Sequence, residues 1–190
     1  CNVKHLVKSD KNLKLYFGKN YLKSLKNYDL IIKTPGIPLK TIKPFLKRNT
    51  KVTSQTEIFF EHCPSKIIGV TGTKGKGTTS SLIYEILKKS GLRVHLIGNI
   101  GRPVFRTLLG AKTNDIFVYE ISSHQLQTLK KSPYIAVFLN LYPDHLDYYK
   151  NFKEYCRAKE SIALYQTKKD YFIYNSGQKL LREIARKSKA

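Results

Sequence analysis

The sequence predicts an α/β protein in which a mainly parallel sheet is flanked by helices. Three observations lead there. Apolar, β-branched runs of strand length recur along the chain, stretches with helix-like spacing separate them, and a glycine-rich turn, "GTKGKGTT" (72–79), joins one such strand to one such helix. Alternation of this kind builds parallel sheets, because each strand has to be followed by a crossover that covers a face.

Taken in order, "LKLYF" (13–17), "DLIIK" (29–33) and "KVTS" (51–54) read as strands. Between them "YLKSLKNY" and "TIKPFLKRN" have helix-like spacing, with Pro44 in a first turn, where a missing N–H is tolerated. Then come "KIIGVTG", "RVHLIG", "DIFVYEIS" and "YIAVFLNL", four runs typical of strands buried on both faces. Helices are expected at 78–90, 103–109 and 151–165; a last strand, "DYFIYN", precedes a basic helix-like tail. A seam near residues 54–65 divides the chain into two α/β units, both of which look incomplete.

Composition narrows the function classes. With 41% hydrophobic residues, 13 Tyr and 9 Phe, the chain can bury a core and is not a disordered tail. The net charge of +22 favours phosphate-bearing partners, but the lysines are scattered and form no basic block, so a solvated lysine-rich surface is expected rather than a nucleic-acid interface. Cys1, Cys63 and Cys156 are far apart and form no C-x-x-C pair, which suggests a reducing, cytoplasmic setting. The longest apolar run, "YIAVFLNLY", is far shorter than the ~20 residues a membrane helix needs, so no membrane insertion is expected. The chain begins at Cys1 and contains no Met, the mark of a processed chain or a piece of a longer one.

The glycine-rich turn carries the chemistry. The usual phosphate loop reads Gly-x-x-x-x-Gly-Lys-Ser/Thr. Here Gly75-Lys76 fits, but Val70 holds the first glycine's slot and Gly77 the last. The setting still suits an anion: a buried strand leads in, glycines let backbone N–H groups converge, and a helix N-terminus follows. Gly72, Thr73, Lys74, Gly75, Lys76, Gly77, Thr78 and Thr79 are therefore the expected nucleotide-binding residues. Lys76 would reach the terminal phosphates, and Thr78 or Thr79 would supply the hydroxyl that position 77 lacks. Glu120 ends an apolar strand, an expensive place for a carboxylate unless it meets a cation.

Four further stretches follow the loop: "GNIGRPVF" (98–105), "YEISSHQLQTL" (119–129), "LNLYPDHLDYY" (139–149) and "YCRAKESI" (155–162). In this order and at these separations they resemble the central ATPase domain of the Mur ligases, the amide-forming enzymes of peptidoglycan synthesis. Ahead of the loop, "DLIIKTPGIPL" (29–39) and "TSQTEIFF" (53–60) resemble the branch of that family that adds D-glutamate. His124, where that branch usually has Phe, and Gln127, where Glu is common, depart from it.

The resemblance implies a partial Rossmann-like, UDP-substrate-binding unit over 1–57 and an ATP-binding domain over 58–190, with a third, amino-acid-binding domain outside the chain. It implies ATP and two Mg2+ ions as cofactors, with Glu120 and Thr78 on one ion and His145 with Lys159 on the second, Lys159 as its carbamate. Asp144 would orient the His145 ring. Asn99, Ser122 and Gln125 would contact the muramoyl substrate, with Gly36 near its uracil end. The reaction implied is phosphorylation of UDP-N-acetylmuramoyl-L-alanine to an acyl phosphate and attack on it by D-glutamate, in an enzyme that is a monomer when full length. This chain alone is expected to be inactive. Another Mur ligase, a folylpolyglutamate synthetase-type ligase, and a non-catalytic nucleotide-binding module remain as alternatives.

Overall fold

The computed structural model describes residues 12–190, arranged as two compact units. The described part of the first runs to Ile31 and resumes over Ile37–Val52. It holds a 3-10 turn at Tyr21–Asn27, the short helix α1 (Leu39–Ile42) and a second 3-10 turn at Lys43–Phe45. Pro44 explains the change of helix type, since it has no N–H to continue the α pattern. Strands β1 (Leu30–Lys33) and β2 (Lys51–Ser54) form a two-stranded sheet. The strand expected at 13–17 is not formed: those residues are irregular, and Leu13, Leu15, Tyr16 and Phe17 are exposed. Alternating apolar residues make a strand only when a neighbour takes up their N–H and C=O groups, and β1 and β2 pair with each other instead.

The second unit comprises 32–36 and 53–190. It contains α2 (Gln55–His62), β3 (Lys66–Thr71), α3 (Lys76–Lys89), β4 (Val94–Gly98), α4 (Val104–Leu109) and β5 (Ile116–Glu120). There follow α5 (Ser123–Leu126), β6 (Ile135–Phe138), α6 (Phe152–Leu164), β7 (Tyr171–Tyr174) and α7 (Lys179–Ala185). The five strands form one wholly parallel sheet in the order β4-β5-β3-β6-β7. Both faces are covered. Ile68, Val70, Val118 and Val137 point to one side, where Ile83, Tyr84 and Leu87 of α3 pack on them. Ile67, Phe117, Tyr119 and Phe138 point to the other, beneath Phe59, Val104, Tyr155, Ile162 and Leu181 from four helices.

Helix α2 lies wholly within the second unit. The reason is packing: Phe59 lies 5.1 Å from Phe117 and 5.5 Å from Tyr119, ring centre to ring centre. Its start is written in "SQTE", where the Ser54 hydroxyl accepts from the Glu57 N–H at 3.1 Å. Among the described residues no helix is long and apolar enough to cross a membrane.

Register sets up the site. Val70 lies opposite both Glu120 and Val137, and Gly98 opposite Glu120, so the carboxyl ends of the central strands finish level. The strand order reverses about β3, and in parallel sheets such a reversal opens a crevice at the carboxyl ends.

Candidate active site

The glycine-rich turn leaves β3 at Thr71 and enters α3 at Lys76. Gly75 makes the corner in the left-handed region (φ 81°) that glycine adopts without strain. Lys76 folds back over the turn, its Nζ donating to the carbonyls of Gly72 (3.1 Å) and Thr73 (3.0 Å). The first turn of α3 carries Thr78, exposed, and Thr79, half-buried.

A side chain the sequence did not single out braces this turn. Asn140, just past β6, accepts from the N–H groups of Thr73 (3.0 Å) and Lys74 (2.9 Å) and donates to the Lys74 carbonyl (3.0 Å). Thr73 turns inward: its hydroxyl bonds Tyr155 at 3.1 Å and accepts from the Tyr142 N–H at 3.0 Å. Asn140→Ala should lower stability by about 2 kcal/mol, since each net hydrogen bond contributes about 1 kcal/mol. Hydrogen exchange should quicken at the Lys74 amide first, because the Thr73 N–H also donates to the Asn140 backbone carbonyl at 3.0 Å; unchanged exchange at Lys74 would mean the loop holds its shape alone.

Lys159, on α6, is 1% exposed, and its Nζ donates to the Gly72 carbonyl at 2.7 Å and the Thr71 hydroxyl at 3.2 Å. The Gly72 oxygen thus receives two amines, from Lys76 and Lys159. Burial, reinforced by the Lys76 charge, lowers the Lys159 pKa to about 7. The unfolded chain then binds a proton between pH 7 and its ordinary 10.5 that the folded chain does not. Stability should therefore rise across that window, with the full penalty present below pH 7. Lys159→Met should gain on the parent by about 4 kcal/mol between pH 10 and pH 6.5, and so melt higher than it at the lower pH. A constant difference would show that the amine stays charged in the fold.

Glu120 closes β5, 5% exposed. Its Oε1 accepts weakly from Asn99 Nδ2 at 3.5 Å, while Oε2 is buried with no hydrogen-bond partner. That orphaned oxygen faces the start of α3: a Cβ added to Gly77 would stand 3.4 Å from it. Gly98 and Gly101 bend the chain after β4 so that Asn99 lies over Glu120, its N–H donating to the Glu120 carbonyl at 3.3 Å.

His145 holds a left-handed backbone (φ 53°), and both Tyr148 and Tyr149 N–H groups donate to its carbonyl. Asp144 caps it, accepting from the His145 N–H at 3.0 Å and facing its Nε2 at 3.5 Å. The His145 ring lies 5.0 Å from that of His124, whose pKa is lowered by burial and then by the nearby charges of His145, Lys159 and Lys33.

These elements enclose a cavity of about 280 Å³. Of the residues expected from the sequence, Gly36, Lys76, Asn99, Ser122, His145 and Lys159 line it; Tyr155 and His124 line it as well. Gly36 thus lines the same cavity as Lys76. Gln125 does not line it. Its side chain closes a capping box at the start of α5, where its Oε1 accepts from the Ser122 N–H (2.8 Å) and hydroxyl (3.0 Å). Ser-x-x-Gln before a helix is the local signal for that role.

Comparison with known proteins agrees with this geometry. Residues 70–190 match the Mur ligase middle domain. Over 180 residues, 94% of this chain, the sequence is 41% identical to the UDP-N-acetylmuramoylalanine–D-glutamate ligase of Acetivibrio thermocellus, and spans 39% of that relative's length. Among solved structures, the UDP-N-acetylmuramate:L-alanyl-gamma-D-glutamyl-meso-diaminopimelate ligase from Neisseria meningitides superposes with a TM-score of 0.58 at 18% identity, covering 85% of this chain and 56% of that one. MurF ligase from Thermotoga maritima in complex with ADP superposes at 0.54 and 18% identity, covering 83% and 44%. These two establish likeness of fold, and the sequence match establishes descent: the chain belongs to the Mur ligase family.

Proposed function

We propose that this chain is the phosphate-handling part of an ATP-dependent ligase that joins D-glutamate to UDP-N-acetylmuramoyl-L-alanine. The observation that carries this reading is the convergence of Lys76, Lys159, Asn99 and His145 on one cavity beside the turn 72–75. The D-glutamate ligases that match most of the chain support the choice of amino acid, and the ADP bound to the Thermotoga relative supports the choice of nucleotide.

The turn's N–H groups and Lys76 hold the terminal phosphates and neutralise their charge as the alanyl carboxylate of the substrate attacks the γ-phosphorus in line, expelling ADP. The D-glutamate amine then attacks the acyl phosphate carbonyl, loses its proton, and phosphate leaves. Asn99 and Ser122 orient the muramoyl substrate beside Lys76. The orphaned Oε2 of Glu120 is the observation that fits a divalent cation, with Thr78 offering an exposed hydroxyl on the first turn of α3. Among the described residues no three acidic, His or Cys groups cluster as a ready-made cage. Magnesium would take its other ligands from water and phosphate oxygens, as it prefers, and would supply charge neutralisation on those oxygens. A second ion would fall to His145 and to Lys159 as its carbamate. Buried and with a lowered pKa, the Lys159 amine can attack carbon dioxide, forming an N–C bond and releasing a proton.

The test is ATP-dependent phosphate release by the complete ligase carrying this chain, with UDP-N-acetylmuramoyl-L-alanine and a panel of amino acids. D-glutamate alone should support turnover; turnover with a diamino acid, or with a folate as acceptor, would reassign it.

A further inference from the structure

A second cavity, of about 520 Å³, runs along the outer side of β4, the edge strand of the five-strand sheet. Arg93 and His95 reach it from the amino end of β4, away from Asn99 at the carboxyl end. Arg102, Arg106 and Thr107 reach it from the segment that follows. The chain doubles back after Gly98, so that Arg102 bridges to Ile97 and its N–H donates to the Leu96 carbonyl at 2.9 Å. Gly101 permits that return: at φ 87°, a Cβ there would stand 2.2 Å from the Leu96 oxygen.

The charges in this cavity do not cancel. Arg93 is held from behind, its Nε 3.0 Å from the buried Asp115 carboxylate and its terminal nitrogen donating to the Gly110 carbonyl. His95 shares that carboxylate through Nε2 at 3.0 Å and stacks on Phe117 at 4.9 Å. Asp115 is thus engaged through Oδ2 by His95 and the Lys112 N–H, while its buried Oδ1 meets Arg93 as an ion pair without a hydrogen bond. The side chains of Arg102 and Arg106 have neither an ion pair nor a hydrogen bond among the described residues, and no carboxylate lines the cavity. The residue type matters too. In a chain whose positive charge is mostly lysine, three of the seven arginines meet here. The guanidinium fork grips two oxygens of a phosphate at once, which a lysine cannot do.

We propose that this cavity is a second oxyanion site, taking a small molecule through a phosphate or diphosphate group held by Arg102 and Arg106 against the fixed Arg93. It is separate from the phosphate loop and independent of the ligase reading.

Inorganic pyrophosphate, titrated calorimetrically into the 190-residue chain at low salt, provides the test. A Lys76→Met background removes the loop's own grip. That variant should still bind pyrophosphate, and adding R102Q/R106Q should weaken binding at least tenfold without changing the melting temperature. ADP should show the same loss. R102K/R106K should recover only part of the affinity, because it restores charge but not the fork. Absence of pyrophosphate binding in the Lys76→Met chain, or unchanged affinity in R102Q/R106Q, would overturn the proposal. Full recovery in R102K/R106K would also overturn it, reducing the cavity to a diffuse positive surface.

Discussion

Lys76→Ala is expected to cut ATP-dependent phosphate release by the ligase about a hundred- to a thousandfold, while the protein stays folded. The side chain is half-buried, and among the described residues its amine binds only the loop's own carbonyls, at Gly72 and Thr73. One of those two, Gly72, keeps Lys159 as a partner in the variant. Folding therefore loses little, and the melting temperature should fall by no more than a few degrees. Catalysis loses a preorganised positive charge at the point where phosphate charge builds up, and removing one such group typically slows turnover by that factor. Lys76→Arg should recover little, because the broader guanidinium does not fit over a turn this tight. Turnover by Lys76→Ala within threefold of the parent would remove Lys76 from the mechanism and with it the assignment of the loop.

The second large effect is structural. Gly98→Ala should destabilise the second unit by about 4 kcal/mol or more. Gly98 has φ 112°, and an added Cβ would stand 2.2 Å from the Glu120 carbonyl oxygen and under 3 Å from two ring carbons of Tyr119. Neither neighbour can withdraw: Tyr119 is fully buried, and its hydroxyl is bonded to Thr56 at 3.1 Å. Relief would have to come from separating β4 from β5, which would also lift Asn99 off Glu120. Gly110→Ala serves as the control, because φ there is −102° and no atom lies within 4 Å of its Cβ. Urea midpoints that match for the two variants would mean that β4 yields at no cost.

How much of this was legible beforehand follows from the range of each interaction. The strands of "KIIGVTG", "DIFVYEIS" and "YIAVFLNL" could be read from composition alone, because burial on both faces demands the same residue types throughout; "RVHLIG" reads the same way but forms the edge strand β4, where only Ile97 is buried. Their order in the sheet could not, since β5 inserts between β3 and β4 through contacts that sequence proximity does not encode. "LKLYF" misled because alternation reports a preference and not the presence of a partner. Asn140 was invisible because its partners lie 66 and 67 residues away. Lys159 stood out among the lysines only through the family resemblance; packing against Tyr155 and β3 shows that it is dry. Gln125 was read through the family resemblance, while the local Ser-x-x-Gln pattern already pointed to a cap.

The glycine that breaks the usual loop pattern also works as a spacer. A Cβ at 77 would stand 3.4 Å from the free oxygen of Glu120 and 3.9 Å from Ile100, so a single methyl there would fill the gap between α3 and that carboxylate in ordinary contact. With glycine the gap stays open, and the hydroxyl's task passes to the residues that follow on the helix.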